Sequence, residues 1–463
     1  KASQQHLLCI LMEPYESLCR MHFIFWDNLL LKTSNPGENA LPVRRYNFLN
    51  YPEMYPDLED TSKLYLPPTV WLSDLASNNI TELTEGAFAD LLHLEELVLT
   101  DNTLRHIHHR AFYSNKKLKR LSLQNCGLTD LPHVALQPLR HLMSLQVDMN
   151  NIAQVYPSAF DGLTLLRNLR LDNNRLTAVP TKALTPLKLL EILNLGNNLL
   201  TSLPVDVFPH LPKLIILLLK RNHISNINED AFMNLTSLRV LELDDNLLTH
   251  VPLALTKLTS LQELSLSGNR IKGVHNNAFS SLPNLRKLIL SDARELTVFP
   301  SLNGTSALEI LRLDRASISH VPASLCHTCP KLKSLDLKSN KLTKVPELSS
   351  CKDLRVLDLA SNQIASVEGS PFRSLSVLHD LILCNNVIRS LPEHAFIGLR
   401  MLQLLDLENN GIERIHPLTF KPLLQLEDLN LGNNVYPELP AVGLERVLLE
   451  NIQQPKSARV PST

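Results

Sequence analysis

The chain has 463 residues, with 45 Lys+Arg against 46 Asp+Glu for a formal net charge of −1, and only 5% aromatic residues. That balance, with no Lys/Arg cluster along the chain, speaks against a nucleic-acid partner, and no apolar run approaches the roughly 18 residues a membrane span requires. Seven cysteines is an odd number, so in an oxidising compartment at least one thiol is free or paired elsewhere.

Residues 1–65 carry Pro14, Pro36, Pro42, Pro52 and Pro56 with Asn35 and Gly37, which predicts irregular structure. Cys9 and Cys19 are placed to close a small loop, so this stretch reads either as a partial cap or as a leader; HLLCILM is too short and poorly flanked for a secretory signal. From Asn78 to Asn434 the chain then repeats the pattern LxxLxLxxNxL about every 24 residues. Leu94, Leu97, Leu99, Asn102 and Leu104 recur as Leu142, Leu145, Val147, Asn150 and Ile152, and again as Leu166, Leu169, Leu171, Asn174 and Leu176, on to Leu426, Leu429, Leu431 and Asn434. The steps Asn246 to Asn269, Ala293 to Ala316 and Asn340 to Asn362 are shorter, and Leu444, Val447 and Leu449 open a further repeat. The period predicts an α/β solenoid over residues 66–450: a leucine-rich-repeat horseshoe of about 16 to 17 repeats with a parallel concave sheet. Residues 451–463 form a polar tail or truncated linker, and the lack of an initiating methionine and of a cysteine-rich cap suggests a piece of a longer protein.

Each repeated position has a physical task. The alternating leucines make a short strand with one buried face, and strands of successive repeats pair in parallel about 4.8 Å apart. A convex apolar ladder runs through Phe88, Phe112, Phe160, Phe208, Phe232, Phe279, Phe372, Phe396 and Phe420, with Leu136, Leu184 and Leu255 in the same place. The asparagine amide both donates and accepts, so it satisfies buried backbone where the chain leaves the strand. Cys126 replaces it weakly; Ala293 and Ala316 cannot, so either water or a backbone shift fills the gap or the curvature breaks near residues 291–318. In the first repeat, Ser73 stands where a buried leucine belongs.

Nothing in the chain converges on catalysis, a cofactor or a small-molecule substrate: there is no Ser/His/Asp set and no phosphate loop. HIHH at 106–109 resembles a metal cluster but falls in the variable segment after a strand, as a solvated surface would. Cys329 and Cys351 each precede the first leucine of a strand by three residues and are one repeat apart; Cys326, at the phenylalanine position, is the other candidate partner for Cys351. CHTC lacks the second pair a zinc site wants. Sequons stand at Asn79, Asn234 and Asn303.

A solenoid without chemistry is a binding surface, and its specificity is written in the third, fifth and seventh places of LxxLxLxx. The early repeats present Asp148, Arg170, Asp172, Ile192, Ile216, Leu218 and Lys220, followed by Glu242 and Asp244. Later repeats are acidic, with Asp314, Asp336, Asp358 and Asp406 among them. The carboxylates read as an attractor of a basic protein ligand or as a plain solvated face. Ile192, Ile216 and Leu218 look like an interface core.

The stretches VFPSLNGTSALEILRL, SISHVPASLC, LDLKSNKLTKVPELSSC and KDLRVLDLASNQI resemble the ectodomains of leucine-rich-repeat G-protein-coupled receptors, in the long-ectodomain subgroup of the R-spondin receptors and the insect bursicon receptor, and the bursicon branch most. The resemblance implies an extracellular domain at the plasma membrane that binds a secreted cystine-knot heterodimer, with a downstream seven-helix part coupling to a heterotrimeric G protein and cyclic AMP. It implies the disulfide Cys326 to Cys351, leaves Cys329 unassigned, and places the family's mid-ectodomain irregularity at Ala293 and Ala316. The chain departs from the family's cysteine-dense N-terminal cap, and Arg170 stands where R-spondin receptors carry a tryptophan between acids matching Asp148 and Asp172. An arginine there would repel a cationic ligand that the aromatic would pack against, which favours a bursicon-like hormone. An adhesion or matrix protein of the same fold, or an R-spondin-type receptor, is the alternative.

Overall fold

The computed structural model describes residues 71–444 and 447; the expectations for residues 1–65, including Cys9 and Cys19, and for the 451–463 tail lie outside them. Sixteen strands form one parallel sheet in chain order, from Leu72–Asp74 to Asp428–Asn430. Each central leucine points into the core, so that Leu169, Leu193 and Leu217 align in register and are fully buried while their strand neighbours are mostly half-exposed. The strands hold only three residues because the chain turns at once. The residue before each ladder asparagine takes a left-handed conformation, at φ 54° for Asn173 and 49° for Asn197, and even Met149 and Arg221 follow at 57° and 54°.

The asparagine ladder interlocks the repeats. Asn198 donates to Leu171 O at 3.0 Å and Leu195 O at 3.1 Å and accepts from Leu176 N–H at 2.9 Å. Asn222 also donates to Leu195 O, at 3.0 Å, so such a carbonyl is shared by two amides from successive repeats. Cys126 keeps part of this: its thiol donates to Leu99 O at 3.1 Å, and its own carbonyl accepts the Leu104 N–H at 2.9 Å in place of the missing amide oxygen. Ala293 and Ala316, being consecutive, deprive Leu290 O of both amides. Strand pairing nevertheless runs unbroken from Lys287–Ile289 through Ile310–Arg312 to Ser334–Asp336. In the same segment Gly304 at φ +90° lies against the preceding repeat so closely that a Cβ would meet Ser280 O at 2.5 Å. Ser73 is buried in register with Leu97, and its hydroxyl has no partner among the described residues.

On the convex side the phenylalanines stack, with ring centroids of Phe372 and Phe396 at 6.3 Å and of Phe396 and Phe420 at 6.1 Å. Where leucine takes that place the segment winds into a single helical turn: Leu136 in His133–Leu136, Leu184 in Thr181–Leu184 and Leu255 in the 3-10 turn Leu253–Lys257. Each turn follows a proline, whose fixed φ suits a helix start, and the smaller side chain leaves room for the tighter winding.

Candidate binding face

The concave face is lined by the outer two residues of each strand and by the second residue after it, where the chain begins to turn. The turn position behaves differently from the sequence expectation. Lys220 and Asp244 remain partly exposed, whereas Asp148, Asp172 and Asp314 are buried at 1%, 6% and 6% exposure. Their accessibility must therefore be corrected: sequence spacing puts them on the concave side, but neighbouring side chains close over them.

Arg170 is the side chain that closes over the first pair. Its guanidinium lies 3.4 Å from Asp148 Oδ2 and 3.3 Å from Asp172 Oδ1, and Asp172 also accepts from Asn173 at 2.7 Å. Both Asp148 oxygens lack a hydrogen-bond donor among the described residues. Burial pushes the Asp148 carboxyl up to about 6 against the pull of Arg170. One arginine thus serves two carboxylates, and the cluster keeps a net negative charge only while Asp148 is ionised.

Beside it lies an apolar column. Ile192, Ile216 and Val240 align in register across three adjacent strands, and Leu218 projects from the same face two residues further along its strand. All are half-buried in the free chain. Val240 belongs to the patch although the sequence reading passes over it, because that reading followed charge in its repeat. Lys220 pairs with Glu242 at 3.1 Å along the margin of the patch.

The later acids have a local task that the sequence did not disclose. Asp336 Oδ1 accepts the Lys338 N–H at 3.0 Å, Asp358 the Ala360 N–H at 2.9 Å and Asp406 the Glu408 N–H at 3.0 Å. Each carboxylate therefore caps its own exit turn with one oxygen. Asp336 and Asp358 also stand side by side in register, and burial with the neighbouring Asp358 charge pushes Asp336 up to about 6. Asp244 is held by Ser265 and the Ser267 N–H, and Asp314 by Ser291 and Arg315, so both are spoken for internally.

Outside the concave face, the disulfide joins Cys326 to Cys351, with Cα atoms 5.0 Å apart. Cys329 is a free buried thiol 3.5 Å from Thr305 Oγ1. Asn79 and Asn303 are exposed, while Asn234 is half-buried and donates to Phe208 O at 3.1 Å. His106 and His109 are exposed, and no metal-holding group of His, Cys, Asp or Glu occurs among the described residues. No helix of the described residues is long and apolar enough to cross a membrane.

An open parallel sheet with an apolar column and charged flanks, on a stack of similar repeats, defines a protein-interaction solenoid. The leucine rich repeat family model matches residues 74–128, 116–176, 188–248, 240–294, 306–364 and 352–412, and the chain belongs to that family. It is similar to leucine-rich repeat-containing G-protein coupled receptor 5 of Rattus norvegicus, 38% identical over 87 residues that make up 19% of this chain and 10% of the receptor. Among solved structures, a leucine-rich-repeat protein of Leptospira interrogans superposes with a TM-score of 0.66 at 26% identity, over 89% of this chain and 93% of that one. A chain of the glycosylated Toll–Spatzle complex of Drosophila gives 0.68 at 25% identity, over 79% and 51%. The plant peptide hormone receptor RGFR1, solved with RGF2, shares the fold at 0.55 and 22% identity, over 86% and 60%.

Proposed function

We propose that the chain is the extracellular ligand-binding part of a G-protein-coupled hormone receptor, capturing a secreted cystine-knot protein hormone of the bursicon kind on its concave face. The observation that carries the reading is the Ile192, Ile216 and Val240 column: adjacent apolar side chains on an open sheet, with Leu218 beside them and ionic neighbours around them. That is the composition of an interface core with a polar rim. The receptor class is supported by the similarity to the rat receptor and by the stretches around residues 298–313 and 331–364. Similar ectodomain chains come from complexes with Spatzle and with RGF2.

In this reading Ile192, Ile216, Leu218 and Val240 fill an apolar surface of the hormone, and Asp336, Asp358 and Asp406 offer their second oxygens to its basic residues. Asp148 acts through Arg170 rather than by direct contact. Asp172, Lys220, Glu242, Asp244 and Asp314 set the charge around the patch. Glycans on Asn79, Asn234 and Asn303 would stand off the concave face. Signalling to cyclic AMP would pass through a seven-helix part and a heterotrimeric G protein.

A second reading is favoured by the Leptospira protein, which matches nearly the whole length of both chains whereas the rat receptor matches a fifth of this one. A stand-alone adhesion or matrix solenoid would look the same on the concave side. The two separate in cells expressing the complete reading frame: the hormone reading expects a cyclic AMP rise on adding purified bursicon heterodimer, lost in Ile216→Asp. Surface binding without any cyclic AMP response would support the adhesion reading.

A further inference from the structure

The basic residues of the chain are scattered in sequence, but the solenoid gathers many of them on one edge. Residues immediately after the first leucine of each repeat stack in a backbone ladder: Met143 N–H donates to Lys119 O at 2.8 Å, Arg167 to Met143 O at 2.9 Å and Glu191 to Arg167 O at 2.7 Å. The residues just before that leucine run alongside, as the contact of His141 Nδ1 with Lys116 O at 2.8 Å shows. This edge lies where the chain enters the sheet, beside the acidic concavity.

Lys116, Lys117, Arg140, Lys188, Lys213 and Arg239 all occupy it, all are exposed, and none forms an ion pair among the described residues. The row's own carboxylates are already engaged, Glu95 by Lys119 at 2.8 Å and Glu191 by Arg167 at 2.7 Å. Across six consecutive repeats, at about 4.8 Å per step, these cations form a narrow band roughly 24 Å long. Exposed Met143 and Leu165 lie between them. A chain of formal net charge −1 therefore presents a cationic edge next to an anionic face.

We infer that this edge is a second binding surface, for a linear sulfated glycosaminoglycan of the heparan type. A narrow band of cations over several repeats fits an extended polyanion better than a globular acidic protein, which meets a compact patch. The edge row has no Phe, Tyr or Trp on which unpaired bases would stack, so the same charge does not make a nucleic-acid groove. Met143 and Leu165 supply apolar surface for the C–H faces of pyranose rings. The inference concerns a face separate from the hormone surface and stands without it.

The test compares elution of the secreted chain from immobilised heparin and from a sulfonate exchanger of equal charge density. The expected result is later elution from heparin, with affinity at about 0.15 M salt reduced roughly tenfold or more in Lys116→Ala/Lys117→Ala/Arg140→Ala. Lys188→Ala/Lys213→Ala, at the other end of the row, is expected to act in the same direction. Asp336→Asn/Asp358→Asn, on the concave face, is expected to leave elution unchanged or delay it. Equal elution from both resins overturns the inference, as does an unaffected pair of folded edge variants, or competition by a single-stranded oligonucleotide as strong as that by soluble heparin.

Discussion

Asn222→Ala isolates what the ladder contributes to the fold. The side chain donates to Leu195 O and Leu219 O, both at 3.0 Å, and accepts from Leu200 N–H at 3.1 Å. The two carbonyls keep a second donor after the change, Leu195 O from Asn198 at 3.1 Å and Leu219 O from Asn246 at 3.0 Å. Each loss is then a weakened site of about 0.5–1 kcal/mol, whereas the buried Leu200 N–H loses its acceptor at about 1–3 kcal/mol. The sum is about 3 kcal/mol, and at a urea dependence of about 3 kcal/mol/M the midpoint falls by about 1 M. Equilibrium unfolding followed by far-UV circular dichroism measures it. Asn222→Cys should recover part of the loss, since the Cys126 thiol already donates at 3.1 Å in the equivalent place. A midpoint unchanged within 0.2 M, on the order of 0.5 kcal/mol, would mean that the leucine core alone fixes the exit turn, and the ladder argument would be wrong.

Other outcomes follow from the same geometry. Phe396→Ala removes the middle of a stacked triple and should destabilise by about 3–5 kcal/mol, read as a lowered thermal midpoint. Cys326→Ser/Cys351→Ser should cost about 3 kcal/mol by freeing the loop that this disulfide closes, and a melt indistinguishable from wild type would count against it. Asp148→Asn tests the buried carboxylate: because its pKa is raised to about 6, the folded chain binds the proton more tightly than the unfolded one. Ionised Asp148 therefore destabilises above about pH 6, and this penalty fades as pH falls towards 4. The variant should melt higher than wild type at pH 7.5 and converge with it near pH 4; a gap that widens on acidification would show that the sign is wrong.

The repeat frame was legible because the fold imposes one requirement many times over: Leu97, Asn102 and Phe112 each recur at a position where only apolar bulk or a two-way amide will serve. Burial within the frame was harder to read. Asp148 is covered by Arg170, one repeat away, and a period says which side a residue takes without saying what bends over it. Asp336, Asp358 and Asp406 looked like ligand-seeking charge, yet each first caps the turn two residues on, a task common to any short polar side chain there. The disulfide partner stayed open from spacing because Cys326 lies in the short helical turn Leu325–Thr328 and Cys329 directly follows it, and the resemblance implied the pairing that the structure shows. The basic edge escaped notice because, beyond the short run KKLKR at 116–120, its members lie one or two repeats apart, so their sum is not visible as a charge run.

The most direct test of the central claim is the equilibrium affinity of the secreted chain for purified bursicon heterodimer, measured in parallel for wild type and Ile192→Asp/Ile216→Asp. The account predicts saturable binding by wild type and a loss of at least about 100-fold in the variant, at two apolar anchors of over about 1 kcal/mol each plus two desolvated charges. The thermal midpoint of the variant should stay close to that of wild type, since both side chains are half-exposed in the free chain. Unchanged affinity in a folded variant would contradict the concave apolar column as the capture surface.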